Sequence, residues 1–220
     1  GAPSSAYLSG VAKTLSGNGV IQGNFSVSTN WNLSPGANGI GTLTFSNSLS
    51  LTSGAQGCTN IFEISKSPLT NDVAKVFGAL TNGGTLIVTN IGSTALTNGD
   101  SFRLFDAGSY NGAFDSVFLP ALSPGLVWNT NSLNTGGTVS VIELTSPTIS
   151  GIQYGGSDLT ISGSGGVSGW PYVVLGATNV ASSWMPVATN YFDAGGNFSI
   201  TLTNALDPNQ PQSFYKLQVR

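Results

Sequence analysis

The sequence predicts an all-β chain, with a β-solenoid or β-helix-like N-terminal part followed by a small antiparallel, immunoglobulin-like β-sandwich. Three observations predict it. Apolar residues recur in short runs that alternate with polar ones, and no segment sustains the 3.6-residue spacing of an amphipathic helix. Turn dipeptides punctuate the runs, among them Asn18-Gly19, Asn38-Gly39, Asn82-Gly83, Asn98-Gly99, Asn111-Gly112 and Gly195-Gly196. Asn and Gly tolerate the positive φ that tight turns demand. Finally, a Thr-Asn-Gly string followed by Gly or Asp, Thr or Ser, and Leu or Phe occurs twice, at Thr81–Leu86 and Thr97–Phe102. A loosely repeated cadence of this kind suits a solenoid, in which each coil buries its inward residues against the next.

Residues 1–14 (GAPSSAYLSGVAKT) read as an arm, polar at first and then carrying the apolar beat Tyr7, Leu8 and Val11. Residues 15–145 form the solenoid-like part, with strand signals at Gly19–Val27, Thr42–Leu51, Ile61–Ile64, Thr85–Thr89, Ser101–Phe105 and Thr138–Glu143. Asn71–Leu80 is the best helical candidate, since Val73, Val76, Phe77 and Leu80 share a helical face. The same residues also fit a strand with a bulge. Ser146–Ser150 reads as a linker, because Pro147 cannot donate to a ladder. The remainder of 146–220 carries strand signals at Tyr172–Leu175, Asn197–Leu202 and Ser213–Val219, and has the size of a small sandwich.

Leu15–Leu51 resembles the autotransporter-associated β-strand repeat family through Gly17-Asn18-Gly19, Leu33-Ser34-Pro35-Gly36 and Ile40-Gly41-Thr42-Leu43. Glu63-Ile64 looks like the strand that follows this pattern, and Gly99–Val141 looks like the region that closes such solenoids. Gly151–Arg220 resembles a C-terminal module common on large secreted proteins of Verrucomicrobia-like bacteria. The resemblance implies a surface or secreted β-helical passenger, an adhesin or a matrix protein, with no shared catalytic residues. The chain carries no outer-membrane barrel, which would need many strands of about ten residues.

Composition narrows the function classes. The chain has 220 residues, of which 7% are charged, with Lys+Arg 6, Asp+Glu 9 and His 0. Without His there is no Ser-His-Asp or Cys-His catalysis and no His metal site. Six scattered basic residues form neither a phosphate-neutralising stripe nor a polybasic membrane patch, so nucleic acid and membrane insertion are excluded as partners. Hydrophobic residues at 40% and a net charge of −3 argue against disorder. Few like charges also leave little to oppose packing against copies of the same chain. The single cysteine, Cys58, reads as a small buried hydrophobe. The chain opens Gly1-Ala2-Pro3 and lacks an apolar run long enough to span a bilayer, which reads as a soluble processed product or an excised part.

An enzyme without His would most naturally use paired carboxylates, about 5–10 Å apart in a glycosidase. Asp100, Asp193 and Asp207 sit in turn strings, where an Asx turn explains them. Asp106 and Asp115 each end a strand signal and fit a facing pair across a hairpin; turn residues are the plainer reading. Calcium is the one metal suited to such oxygen-rich turns, but no calcium-loop string is present and no cofactor is implied. Gly163–Gly169 lacks the Lys-Ser/Thr of a phosphate loop. In the last module Trp170 and Tyr172 form a candidate glycan-stacking platform, while Trp184 reads as a core plug opposite Phe198 and Tyr215. The sequons at Asn24, Asn32 and Asn197 lie in strands and are discounted.

These readings converge on a non-enzymatic structural protein, extracellular or at the cell surface, that self-assembles head to tail into filaments or a surface layer. Donation of the strand around Tyr7, Leu8 and Val11 to a neighbour would be one route. The alternative is a carbohydrate-binding adhesin or accessory module of a polysaccharide-degrading system.

Overall fold

The computed structural model describes residues 13–36, 39–206, 210 and 212–219, and the backbone of 5–7. It is nearly all β, with a solenoid of about 4 turns in its N-terminal part and small antiparallel sheets after it. Two compact units, Gly1–Glu143 and Leu144–Arg220, divide the chain.

In the first unit each coil contributes up to three strand segments. In chain order they are β1 (Ser5–Tyr7), β2 (Thr14–Gly17), β3 (Gly19–Ile21), β4 (Asn24–Val27), β5 (Asn32–Pro35), β6 (Thr42–Phe45), β7 (Leu49–Leu51) and β8 (Thr59–Ser65). There follow β9 (Thr70–Asn71), β10 (Val73–Asn82), β11 (Thr85–Asn90), β12 (Ser101–Arg103), β13 (Phe105–Gly112) and β14 (Ser116–Phe118). One parallel sheet runs β14-β11-β8-β5-β2. The other stacks β1, β4 and β7 along one half of β10 and β3 and β6 along its other half, with β13 beyond. Inward residues therefore form columns: Phe25, Leu49 and Leu80 in one, and Leu43, Ala74 and Phe105 in another. All six are under a tenth exposed, and each large side chain so buried contributes about 1.5–3 kcal/mol.

Asn71–Leu80 takes its strand reading and not its helical one. In β10 an irregularity between Val76 and Ala79, relative to β13, turns Val76 and Leu80 inward and leaves Phe77 65% exposed. Gly78 sits at this bend, where a Cβ would lie 3.0 Å from the backbone of Asn47 on the preceding coil. The neighbouring coil, through its parallel pairing, decides the period here.

The corners explain the Asn- and Asp-rich composition. Asn18 Oδ1 accepts from the Thr42 amide (2.9 Å), Asn24 Oδ1 from the Ser48 hydroxyl (2.7 Å), and Asn71 Nδ2 donates to the Arg103 carbonyl (2.8 Å). Each bond ties one coil to the next. Asn60 stands in the inward column between Leu33 and Leu86, and its amide is satisfied by the carbonyls of Gly83 (3.1 Å) and Thr85 (3.2 Å). Cys58, beside it, is 1% exposed, and burial pushes its thiol up.

The last coil is covered from within the same unit. Phe114, Leu119, Leu122, Leu126 and Trp128 pack onto the core, and β15 (Leu126–Asn129), the short α1 (Leu133–Gly136) and β16 (Thr138–Glu143) complete the cover. Strands β12, β16 and β15 form an antiparallel sheet in that order. Leu133 is 2% exposed, and Gly137 closes the helix at φ 67.

The second unit holds two three-stranded antiparallel sheets around one core. Its strands are β17 (Thr148–Gly155), β18 (Asp158–Ser164), β19 (Pro171–Ala177), β20 (Met185–Tyr191), β21 (Phe198–Leu202) and β22 (Phe214–Val219). The sheets run β17-β18-β21 and β20-β19-β22, and Leu159, Ile161, Tyr172, Val174, Phe192, Phe198 and Leu202 fill the space they share.

Candidate functional site

The residues singled out from the sequence fall in different places. The backbone of Ser5–Tyr7 pairs in parallel with β4 of its own chain, in the register Tyr7 to Ser26. A strand so placed extends the chain's own sheet, so donating it to a neighbour requires its release from β4. Leu8 and Val11 lie outside the described residues. Tyr172 is corrected outright: it is fully buried, its ring lies 4.8 Å from Phe192 and 5.3 Å from Phe198, and it has no face to offer a sugar. The period-2 rule of β19 puts it on the same side as Val174, toward the core. Trp170 is half-buried against that core. Trp184 is not the plug expected from its sequence. It is half-buried, with the Lys216 ammonium 4.4 Å from its ring centroid.

The carboxylates are similarly dispersed. Asp106 pairs with Arg103 at 2.7 Å near the start of β13. Asp115, past the end of that strand, accepts the amides of Gly54 (2.8 Å) and Gly84 (3.1 Å). The two are held by different partners on different sides of the coil and do not converge as a catalytic pair. Asp193 makes the Asx turn expected of it, with Oδ1 accepting from the amides of Gly195 and Asn197 at 2.8 Å each. Asp100 accepts the Thr97 amide and also pairs with Lys66 at 2.7 Å. Asp207 is outside the described residues. Among the described residues no group of three or more His, Cys, Asp or Glu side chains is placed to hold a metal ion.

The fold instead brings together Glu63 and Asp72. Asp72 is 1% exposed, and its carboxylate accepts the amides of Gly41 (2.7 Å) and Glu63 (2.8 Å). Burial pushes it up to about 6; the two amides oppose the rise and the nearby Glu63 charge adds to it. With both oxygens occupied and no exposure, Asp72 acts as a corner staple. The Glu63 side chain points outward into a groove of about 540 Å³ that crosses four coils, lined by Thr14, Ser16, Ser34, Pro35, Glu63 and Ile91 among others.

That groove lies on the outward face of the β14-β11-β8-β5-β2 sheet. On this face Thr14, Asn32, Thr59, Thr85 and Ser116 stand in register, one per strand. Asn32 Nδ2 donates to Thr14 Oγ1 at 3.3 Å. These five residues were invisible as a set in the sequence, because the coils differ in length and the column recurs at unequal intervals.

The ends of the two parallel sheets differ. Phe105 and Ala107 turn their peptide groups away from β10, and those groups are met: Gly137 accepts from Phe105, while the Tyr110 hydroxyl accepts from Ala107 (3.0 Å) and donates to Phe105 (2.9 Å). The β14-β11-β8-β5-β2 sheet has no such cover. Lys13, Leu15 and Gly17 face β5, so parallel alternation directs the N–H and C=O of Thr14 and Ser16 away from it. Among the described residues no strand pairs with that side of β2, nor with the far side of β14.

Comparison with protein-family models, with curated proteins and with solved structures finds no match to this chain.

Proposed function

We propose that the protein is a non-enzymatic structural protein of the extracellular or cell-surface space that associates head to tail through the β14-β11-β8-β5-β2 sheet of its solenoid. One observation carries the reading: β2 and β14, the two terminal strands of one parallel sheet, both keep an unpaired edge among the described residues. Joining the β2 edge of one copy to the β14 edge of the next continues the same parallel ladder. A head-to-tail contact of this kind need not close, and repetition yields a filament. The scarcity of charge supports the reading, since edge charges are a principal defence against such pairing. Resemblance to surface-exposed β-strand repeats points to the same setting.

The test is a backbone block. Ser16→Pro removes an N–H that faces the open edge and leaves the β5 ladder intact. Wild-type protein, concentrated and viewed by electron microscopy and sedimentation, should form linear oligomers, and Ser16→Pro should reduce them at least tenfold. A wild-type chain that stays monomeric at high concentration overturns the proposal, as does assembly unaffected by Ser16→Pro.

A further inference from the structure

The outward groove over Glu63 is unused by edge-to-edge association, and its chemistry is specific. It runs obliquely across the strands, from Thr14 and Ser16 on β2 and Ser34 on β5 to Glu63 on β8, two residues past the position in register with Ser34, and to Ile91, two residues past the Thr89 partner of Glu63. Adjacent parallel strands lie about 4.8 Å apart and two residues of strand add a lateral step of about 6.6 Å, so Ser34, Glu63 and Ile91 follow one another at about 8 Å along an oblique track. Its lining is made of hydroxyls and one carboxylate, with Ile91 as an exposed apolar end. Among the described residues no Lys or Arg lines it.

We propose that this groove binds a linear neutral polysaccharide lying obliquely across the coils. Three features select that ligand. An anionic polymer would meet Glu63 and a chain of net charge −3 with no cation in the groove to offset them. An apolar peptide would leave the Ser and Thr hydroxyls facing its side chains without partners. A polymer of uncharged sugars supplies hydroxyl donors for Glu63, and donors and acceptors for Thr14, Ser16 and Ser34. Ile91, 51% exposed, offers apolar surface to the face of a ring. The Asp72 staple beneath, bonded to the Glu63 amide, fixes the backbone from which the Glu63 side chain projects.

This proposal is independent of filament formation, and the experiment separates them. Native gels containing soluble neutral β-glucan, xyloglucan or dextran would be run beside gels containing polygalacturonate. Wild type and Ser116→Pro, which blocks the β14 edge outside the groove, are compared with Glu63→Ala and Ser34→Arg, each first checked for wild-type thermal unfolding. Retardation of wild type by at least one neutral polymer is expected, with at least a fivefold loss of apparent affinity in both groove variants and none in Trp170→Ala. Glu63→Gln should retain part of the affinity, because its amide still bonds hydroxyls. Failure of every neutral polymer to retard wild type overturns the proposal. So does stronger retardation by polygalacturonate, retention of full affinity in the two groove variants, or loss confined to Trp170→Ala.

Discussion

The solenoid and the terminal unit are written in nearly the same alphabet of Gly, Asn, Ser and Thr, yet they use it at different ranges. In the solenoid, turn side chains reach other coils: Asn18 bonds a residue 24 positions away, Asp72 one 31 away, and Asp115 one 31 away on the adjoining coil and another 61 away on the coil beyond it. In the terminal unit many bond their own turn: Asn179 to Ala181 and Asp193 to Gly195 are two residues apart, and Asp193 to Asn197 is four. The local bonds close hairpins that antiparallel pairing would hold anyway. The long-range bonds set the stacking of coils, which no local turn can set. A polar turn residue is thus worth more in the parallel unit, and its loss should be felt further away.

The sharpest test of this difference uses two glycines with the same backbone. Gly84 in the solenoid has φ +66 and Gly156 in the β17–β18 hairpin has φ +65. A Cβ on Gly84 would lie 2.1 Å from the Cys58 carbonyl of the preceding coil, whereas a Cβ on Gly156 meets nothing within 4 Å. Gly156→Ala should therefore cost only the left-handed strain, about 1 kcal/mol. Gly84→Ala adds a backbone overlap and should cost about 3–5 kcal/mol. Urea unfolding would read the totals. Hydrogen exchange should show protection lost across β8 and β11 for Gly84→Ala, and only near the hairpin for Gly156→Ala. Equal costs would mean that coil stacking yields as readily as a hairpin tip.

Much of the fold was legible in the sequence because the signals behind it are local. Alternation in Thr85–Thr89 and Thr138–Glu143, and the Asn-Gly corners, depend only on neighbouring residues. The bulged reading of Asn71–Leu80 was available but undecided, since its arbiter is the Asn47 backbone on another coil. The candidate site was hardly legible. Tyr172 was drawn into a stacking platform by local aromatic density, although its two-residue offset from Val174 already argued for the core. The Thr14-to-Ser116 column and the groove over Glu63 depend on the register between coils of unequal length, which composition does not encode.

A second contrast concerns two aspartates that each accept two backbone amides. Asp72, buried in the solenoid, has its carboxyl pushed up to about 6 by burial. Asp193, exposed in the terminal unit, is held below the usual carboxylate range by the Asn197 amide and side chain, with the Gly195 amide adding to the effect. The signs for stability are opposite. The folded solenoid holds the Asp72 proton more tightly than the unfolded chain does, so this contribution is full below the ordinary carboxylate value and is lost as pH rises from about 4 to about 6. Its span is of order 2–3 kcal/mol. The Asp193 contribution is present above the ordinary range and is lost as pH falls through the lowered value. Urea unfolding of the solenoid between pH 4 and pH 7 should therefore show a decline that Asp72→Asn flattens and Asp193→Asn leaves in place. A solenoid whose stability rises through that window would show that the two amides outweigh desolvation.

The smallest expected effect distinguishes two tyrosine hydroxyls. Tyr110 places its hydroxyl between the Ala107 amide and the Phe105 carbonyl, completing the covered edge of β13. The Tyr172 hydroxyl is buried in the terminal unit with no hydrogen-bond partner. Burial pushes it up, and the Asn190 side chain opposite opposes this without reaching hydrogen-bond geometry. Removing a hydroxyl that serves two backbone groups leaves both unsatisfied, so Tyr110→Phe should cost about 1–2 kcal/mol. Removing one that serves none relieves a desolvation cost, so Tyr172→Phe should be neutral or stabilising by up to about 1 kcal/mol. Denaturant midpoints of the two variants decide it. If Tyr110→Phe proves neutral, water meets those edge groups as well as the phenol does, and the edge of β13 joins β2 and β14 as a surface open to pairing.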